Sequence, residues 1–413
     1  MSFTRVFARA ALSALAAAAA LAGQESGLTL EQAVETVLAG HPEVLEARSR
    51  LDSARGRTLQ LASRPEPQLA AGLEGIPLPG LGDEGDELEV RLGIEQVFEY
   101  PGKRALRAAV GRTGEALAEA ELDRVRLVLT ARVKRAYWKA VFARAAAEAL
   151  ELSGVRLDTL LEDLEARYRS GTAAYGDVLR ARAEMARLRN QALDQARERR
   201  AAEAELRGLL GMPAAGALEL STPLPIAPLE AGPEALWERS RTARPSLRAA
   251  ALRSEQAASA VKLAGLGRRP DFVAGFLLPS VRPDAWGVEL GLTLPFLRPG
   301  RLRGQALEAE AEVEAARRAS EALERRSRTA VESAWAAAKA AEAQVRVYEA
   351  SLLAELEDEL AIELEYFRYG KAEAFGVIDL HRTFALAQVE RLRALLLYNL
   401  ALADLEVAGE END

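Results

Sequence analysis

A chain of 413 residues without a single cysteine excludes disulfides and thiolate metal sites, and its net charge of −8 at neutral pH argues against a nucleic-acid binder. Apolar residues make up 49% and charged residues 28%, with only 5% aromatics, which suits long amphipathic helices better than a large mixed core.

The first element in chain order is "MSFTRVFARAALSALAAAAALAG": Arg5 and Arg9, an apolar run from Ala10 to Leu21, then small residues at a cleavage site. It is too short to span a bilayer as a helix and is expected to be a secretory signal over residues 1–22. Its removal takes away two Arg and no acid, leaving the exported chain at −10. No later segment offers the roughly 18 uninterrupted apolar residues that a spanning helix needs. Any membrane crossing must therefore be made by strands, and attachment through a lipidated cysteine is not expected.

Two halves share one plan. "HPEVLEARSRLDSA" at 41 and "RPSLRAAALRSEQA" at 244 open them, each with a basic residue before proline and then helical spacing. Each half then reads as helix, two alternating stretches, a Pro-Gly-basic joint and a very long helix. Strand two is the clearest, with Leu88, Val90, Leu92 and Ile94 alternating against Glu87, Glu89, Arg91, Gly93 and Glu95. Strand four repeats this from Trp286 to Phe296, while strand one (Leu69, Ala71, Leu73) and strand three (Phe272, Ala274, Phe276) are weaker. Runs of about nine to eleven residues suit a tilted membrane strand. Periodicity alone leaves open a soluble hairpin lying on helices. Two hairpins give only four strands, whose edges cannot lie in lipid, so the membrane reading requires oligomerisation. Aromatics near the strand ends (Phe98, Tyr100, Phe272, Trp286, Phe296) fit an interfacial girdle.

At the joints, "FEYPGKR" and "FLRPGR", Pro101 and Pro299 are expected to stop the ladder and Gly102 and Gly300 to permit the bend into a helix. No proline occurs between Pro101 and Pro213, or after Pro299. The helix from Lys103 is expected to reach about Tyr168, roughly 65 residues or ~100 Å. The dips "YRSGTAAYGDVL" (168 to 179) and "FRYGKAEAFGVI" (367 to 378) then read as helical hairpin tips ended by Gly171 and Gly370. Beyond them Val178, Met185 and Ala192, Leu179, Ala186 and Leu193, and Ile378, Ala385 and Leu392 recur every seven residues, the spacing of supercoiled helices. The fold class is thus mainly α with a small β part. The divisions are a signal (1–22), a first repeat (23–210), a connector with five prolines (211–236), a second repeat (237–408) and a tail (409–413).

These features together resemble the outer-membrane efflux protein family, the TolC-like channels, and most its heavy-metal branch. The resemblance rests on "LTLEQAVETVLAGHPEVLEARS", the two joints, the two tips and the duplication, and covers Leu28 to about Val407. It implies a homotrimer whose hairpins close a twelve-stranded outer-membrane barrel continued by a periplasmic helical tunnel. It also implies tips that gate the tunnel and dock a periplasmic adaptor (membrane fusion) protein, itself coupled to an inner-membrane pump of RND or ABC type. The channel would be a passive exit duct, with no enzyme chemistry and no cofactor.

Residue by residue, the resemblance makes Tyr168, Arg169, Gly171, Phe367, Arg368 and Gly370 candidates for adaptor contact. Asp177 matches a gate-region acid, although a plain helix N-cap is an equal reading. Family members with an acidic ring carry acids six and nine positions after the second tip glycine, where this chain has Gly376 and Asp379. Three copies of Asp379 around an axis would repel one another and attract cations. Glu87, Glu89, Arg91, Glu95 and Glu289 would face the barrel lumen and favour cations there.

"GLGDEG" (80 to 85) matches a dinucleotide-binding pattern, but it joins two strands and precedes no helix, so it is read as an exterior hairpin loop. The two histidines, His41 and His381, lie in different helices without ligand spacing, so no bound metal is expected; His381 is read as a helix-surface or tunnel residue. A non-pore periplasmic coiled-coil adaptor or scaffold shares the signal and the long helices and remains the alternative. The choice between metal ions, drugs and polypeptides as solute is left open.

Overall fold

A computed structural model describes residues 27–74, 89–213, 218–279, 286–348 and 350–410. The expected signal, the "GLGDEG" loop, Glu87 and Leu88 lie outside the described residues, as do the side chains of Leu73, Glu89, Val90 and Arg91. The chain opens with α1 (Leu30–Gly40) and α2 (Pro42–Ala62), then β1 (Gln68–Glu74) and β2 (Glu89–Phe98). Next come α3 (Lys103–Arg169) and α4 (Tyr175–Leu210). The second half brings α5 (Pro233–Ala243), α6 (Pro245–Leu266), β3 (Phe272–Pro279) and β4 (Gly287–Leu292). It ends with α7 (Pro299–Val347), α8 (Ala350–Arg368) and α9 (Ala374–Val407). At 67 residues, α3 is ~100 Å long. None of the described helices is long and apolar enough to cross a membrane.

Contacts divide the chain into two compact units, each drawn from both halves of the sequence. One holds Met1–Leu45, Val125–Ser240 and Ser327–Asp413; the other holds Glu46–Arg124 and Arg241–Arg326.

The first unit is helical. Thr29 and Gln32 form a reciprocal capping box that starts α1, so two orphan N–H groups of the first turn are satisfied by side chains. Leu28 makes an isolated parallel bridge with Leu220, the one short pairing found in the expected connector among its described residues. Tyr137, fully buried on α3, locks this bridge: its hydroxyl donates to Leu28 O at 2.8 Å and accepts from Thr222 N–H at 3.0 Å. The rest of the connector is pinned by Trp335 Nε1 donating to Ala231 O (2.9 Å), by Asn399 Nδ2 donating to Pro225 O (3.0 Å), and by the Tyr398 hydroxyl donating to Ala227 O. One heptad stripe is buried, with Val178 and Met185 on α4 and Ile378 and Ala385 on α9, while Leu179 and Leu193 on the other stripe stay exposed.

The second unit carries one antiparallel four-stranded sheet in the order β1-β2-β3-β4. The hairpins are joined by β2 and β3, whose register pairs Phe98 with Phe272, Ile94 with Phe276 and Leu92 with Leu278. Because side chains alternate, one face collects Leu69, Ile94, Phe276 and Val288 in a single cross-strand row, and Phe98, Phe272 and Leu292 in another. These apolar side chains are exposed, Leu290 at 81% being the most open. The opposite face is crowded: a Cβ at Gly275 would stand 3.2 Å from Glu289 Cβ and 3.3 Å from Glu95 Cγ.

Two expectations are corrected. Strand four ends at Leu292 rather than Phe296, because Pro295 has no N–H to donate and opens a 3₁₀ turn over Pro295–Leu297. The very long helix of the second half is divided: α7 ends at Val347, and Tyr348 N–H bonds back only three residues to Val345 O (3.2 Å).

Candidate functional site

The two helical tips and the first strand-to-helix joint are the places where the sequence departs most from regular structure. At the first tip Gly171 has φ +77° and at the second Gly370 has φ +70°, left-handed values that a glycine adopts without steric cost. Both tips close in the same way. Thr172 N–H donates to Arg167 O (2.9 Å) and Gly171 N–H to Tyr168 O (3.0 Å); Lys371 N–H donates to Tyr366 O (2.8 Å) and Gly370 N–H to Phe367 O (3.0 Å). The six-to-one bond to the third-last helical carbonyl is the one a glycine-terminated helix uses to satisfy its orphan acceptors.

The structure brings the two tips together. Leu157, Leu160, Leu164, Val178, Ala181 and Met185 of the first hairpin share a buried cluster with Phe367, Ala374, Val377 and Ile378 of the second. Arg167 stitches them, its guanidinium 4.4 Å from the Phe367 ring centroid and its Nη2 donating to Arg368 O at 3.1 Å. Phe367, expected as a contact residue, is only 5% exposed and belongs to this cluster. It is therefore not available to a partner on the chain's surface, because the apolar seam between the hairpins takes it up. Tyr168, Arg169, Gly171, Arg368 and Gly370 are exposed. Tyr168 and Tyr175 flank the first tip with ring centroids 5.3 Å apart.

Of the candidate gate residues, Asp177 is in the first turn of α4, and Ala174, not Asp177, is the N-cap. The capping reading is thus corrected: the helix begins three residues earlier than that reading needs. Asp177 still sits where the helix macrodipole favours a negative charge, and it pairs with Arg180 Nη1 at 3.2 Å. Asp379 pairs in the same way with Arg382, one turn along α9. Each acid thus carries a cation from its own helix. At Gly376 the place of a side chain is already taken: a Cβ there would stand 2.9 Å from Glu363 Oε1 of α8. A carboxylate of the neighbouring helix, that of Glu363, thus lies beside position 376.

His381, expected as a helix-surface or tunnel residue, is buried on α9, and neither ring nitrogen makes a hydrogen bond of ordinary geometry. Burial pushes its imidazole below the ordinary range, partly offset by the Ser153 backbone and the Glu184 carboxylate. Groups of His, Asp and Glu arranged to hold a metal are absent among the described residues.

The joints differ more than their sequences do. At the first, Gly102 has φ +97° and its carbonyl accepts Leu106 N–H (3.0 Å), so the chain bends and becomes helix at one residue. At the second, Pro299 is the first helical residue and Gly300 lies inside the helix without a positive φ. The bend expected at Gly300 is made instead by Leu294 to Arg298 around the 3₁₀ turn.

The first joint also has a hub that the sequence reading missed. Asp271, just before β3, accepts on Oδ1 from Tyr100 N–H (2.7 Å) and from Lys103 Nζ (2.8 Å), and its own N–H donates to Thr293 Oγ1 (2.7 Å). It ties the exit of one hairpin to both strands of the other. The only signal for it was an acid directly after Pro270, where it reads as an ordinary turn residue. Of the expected lumen residues, Glu95 and Glu289 lie on the crowded face of the sheet, in one row across Gly275.

Residues 33–212 match the model of the outer membrane efflux protein family. The chain thus resembles this family over its first half. Solved structures of similar fold include the open state of the Neisseria gonorrhoeae MtrE outer membrane channel, with a TM-score of 0.74 and 20% identity over 93% of this chain and 89% of that one. The VceC outer membrane protein of Vibrio cholerae gives a TM-score of 0.72 and 22% identity over 92% and 97%. CusC, described in terms of transmembrane channel formation, gives 0.72 and 17% over 92% and 91%, a likeness no greater than the others. At such identities these likenesses show the fold. Among curated protein sequences none matches significantly. Both the matched family and these solved structures are of outer-membrane proteins.

Proposed function

We propose that three copies of this chain assemble into the outer-membrane duct of a tripartite export system and provide a passive, gated path for solutes delivered by an inner-membrane pump through a periplasmic adaptor. The observation that carries this reading is the four-stranded sheet, whose β1 and β4 edges have no partner strand among the described residues and whose apolar face is exposed. An open edge is not tolerated in lipid, and a bare apolar face is unfavourable in water. Pairing β4 of one copy with β1 of the next removes every edge after three copies and turns the apolar face to the bilayer. The exposed Leu179 and Leu193 stripe of α4 is then covered by a neighbouring copy.

In this reading Tyr168, Arg169, Gly171, Arg368 and Gly370 meet the adaptor. Asp177 and Asp379 line the constriction, with Glu363 supplying the carboxylate that Gly376 cannot. Glu95 and Glu289 give the barrel interior a cation-favouring field, which supports metal cations as one class of solute.

The test is to purify the full-length protein from outer membranes and measure its mass in detergent and its current in planar bilayers. A trimer that conducts supports the duct. A soluble periplasmic monomer overturns it in favour of a coiled-coil scaffold.

A further inference from the structure

We infer that His381 is a proton-operated latch which releases α9 from the α3–α4 hairpin, two helical turns above the second tip, when the surroundings turn acidic. The ring lies between two buried apolar clusters, one turn after Ile378 and one turn before Ala385, the latter packed on Leu150 and Leu188. It is 3% exposed, neither nitrogen makes a hydrogen bond of ordinary geometry, and the backbone acceptor nearest to the ring is that of Ser153 on α3. A neutral imidazole held by no well-formed hydrogen bond leaves a donor and an acceptor poorly satisfied there, so leucine would pack at less cost.

A proton makes the site untenable, because the surrounding charges are already engaged. On α3, Arg156 stands 5.7 Å from the Phe384 ring centroid and pairs with Glu357 of α8 at 3.1 Å. On α4, Glu184 is held by Arg187 at 2.7 Å. On α9 itself Asp379 is taken by Arg382. Among the described residues named here no carboxylate facing the ring is free, so a charged imidazolium must be hydrated by parting the helices, or must draw Glu184 away from Arg187.

The sign follows from burial, which favours the neutral ring. The packing is at full strength above the ordinary imidazole value of about 6.5, weakens as pH falls through and below it, and levels off once the buried ring itself is protonated. The latch rests on the geometry of the helical unit alone; its effect on current rests on the duct reading.

The experiment is hydrogen exchange on the full-length protein in detergent at pH 7.5 and 5.0, corrected for intrinsic rates, for wild type, His381→Leu and His381→Gln. Peptides within 374–385 of the wild type should exchange severalfold faster at pH 5.0 than at pH 7.5, because the opened state takes up the proton more readily than the buried ring. His381→Leu should fold, melt no lower than wild type at pH 7.5, and lose the acid response; His381→Gln should lose it as well. An unchanged wild type, or the same acceleration in His381→Leu, overturns the latch. Bilayer currents separate the two readings: acid-sensitive exchange in a protein that conducts at no pH supports the latch and overturns the duct.

Discussion

Replacing Asp271 by alanine should loosen the first strand-to-helix joint more than any other single change near the sheet. Its carboxylate Oδ1 serves the Tyr100 N–H at 2.7 Å and Lys103 Nζ at 2.8 Å, and the Asp271 and Lys103 side chains are only 22% and 12% exposed. Lys103 keeps a second partner, Arg269 O at 2.9 Å, so its ammonium is not stranded. The backbone bonds between Asp271 and Thr293 do not depend on the side chain. What is lost is one hydrogen bond between two charged groups and one from a backbone donor to a carboxylate, together about 3 kcal/mol. Asp271→Asn keeps an acceptor for both donors and loses only the charge, about 1 to 1.5 kcal/mol. Lys103→Met should cost a similar amount, and the double variant should show a coupling of about 1 to 2 kcal/mol in a double-mutant cycle. The assay is urea unfolding of the purified protein in detergent, followed by far-ultraviolet circular dichroism. Alanine within 0.5 kcal/mol of wild type, or additive single effects, would refute the hub.

Three further changes test other parts of the fold. Gly102→Ala, at φ +97° and with its Cβ 3.3 Å from Leu266 Cδ1, should destabilise by about 1 to 2 kcal/mol, whereas Gly300→Ala, in open space within a helix, should stabilise by about 0.5 to 1 kcal/mol; opposite shifts in melting temperature are the signature, and equal shifts would sink the distinction between the joints. Phe367→Ala should cost about 3 to 5 kcal/mol and accelerate hydrogen exchange at both tips, because the cluster spans both hairpins; acceleration confined to α8 would contradict the shared cluster. Leu290→Arg, at an 81% exposed position, should be nearly neutral if the face meets water but cost about 2 to 4 kcal/mol in trimer stability if it meets lipid, so a neutral result in the membrane-extracted protein would count against the barrel.

Much of this architecture was legible because the sequence punctuates it. Absence of proline from 102 to 212 marked the two helices of the first hairpin, and Gly171 and Gly370 marked their tips, since few residues other than glycine close a helix in the left-handed region at so little cost. Period-two alternation gave the strands, and the apolar face it named is the exposed one. What was not legible depends on pairing between distant segments. Nothing in the strand around Phe98 specifies that its partner is Phe272, and without that pairing Asp271 has no visible role. Phe367 and His381 were misplaced for a related reason. Periodicity on α8 and α9 says which residues share a stripe, but not which stripe the first hairpin covers.

The two joints show why a repeated motif does not guarantee a repeated conformation. Pro-Gly-basic is spelled at both, yet the residues just upstream decide which of the two must bend. Before Pro101 the strand runs unbroken to Phe98, only Glu99 and Tyr100 intervene, and the whole change of direction falls on Gly102, braced by Asp271 through Tyr100 and Lys103. Before Pro299 the earlier Pro295 has already ended the ladder and set a 3₁₀ turn, with Arg298 extended enough to cap the next helix by accepting Leu302 N–H at 3.4 Å. Pro299 then enters at the first helical position, where its missing N–H costs nothing and its fixed φ suits the helix, and Gly300 has no bend left to make. A proline placed four residues upstream thus moves the hinge of one joint out of its glycine. The first joint consequently depends on one left-handed glycine and one half-buried carboxylate, whereas the second spreads the same turn over five residues and has no comparable point of failure among those described.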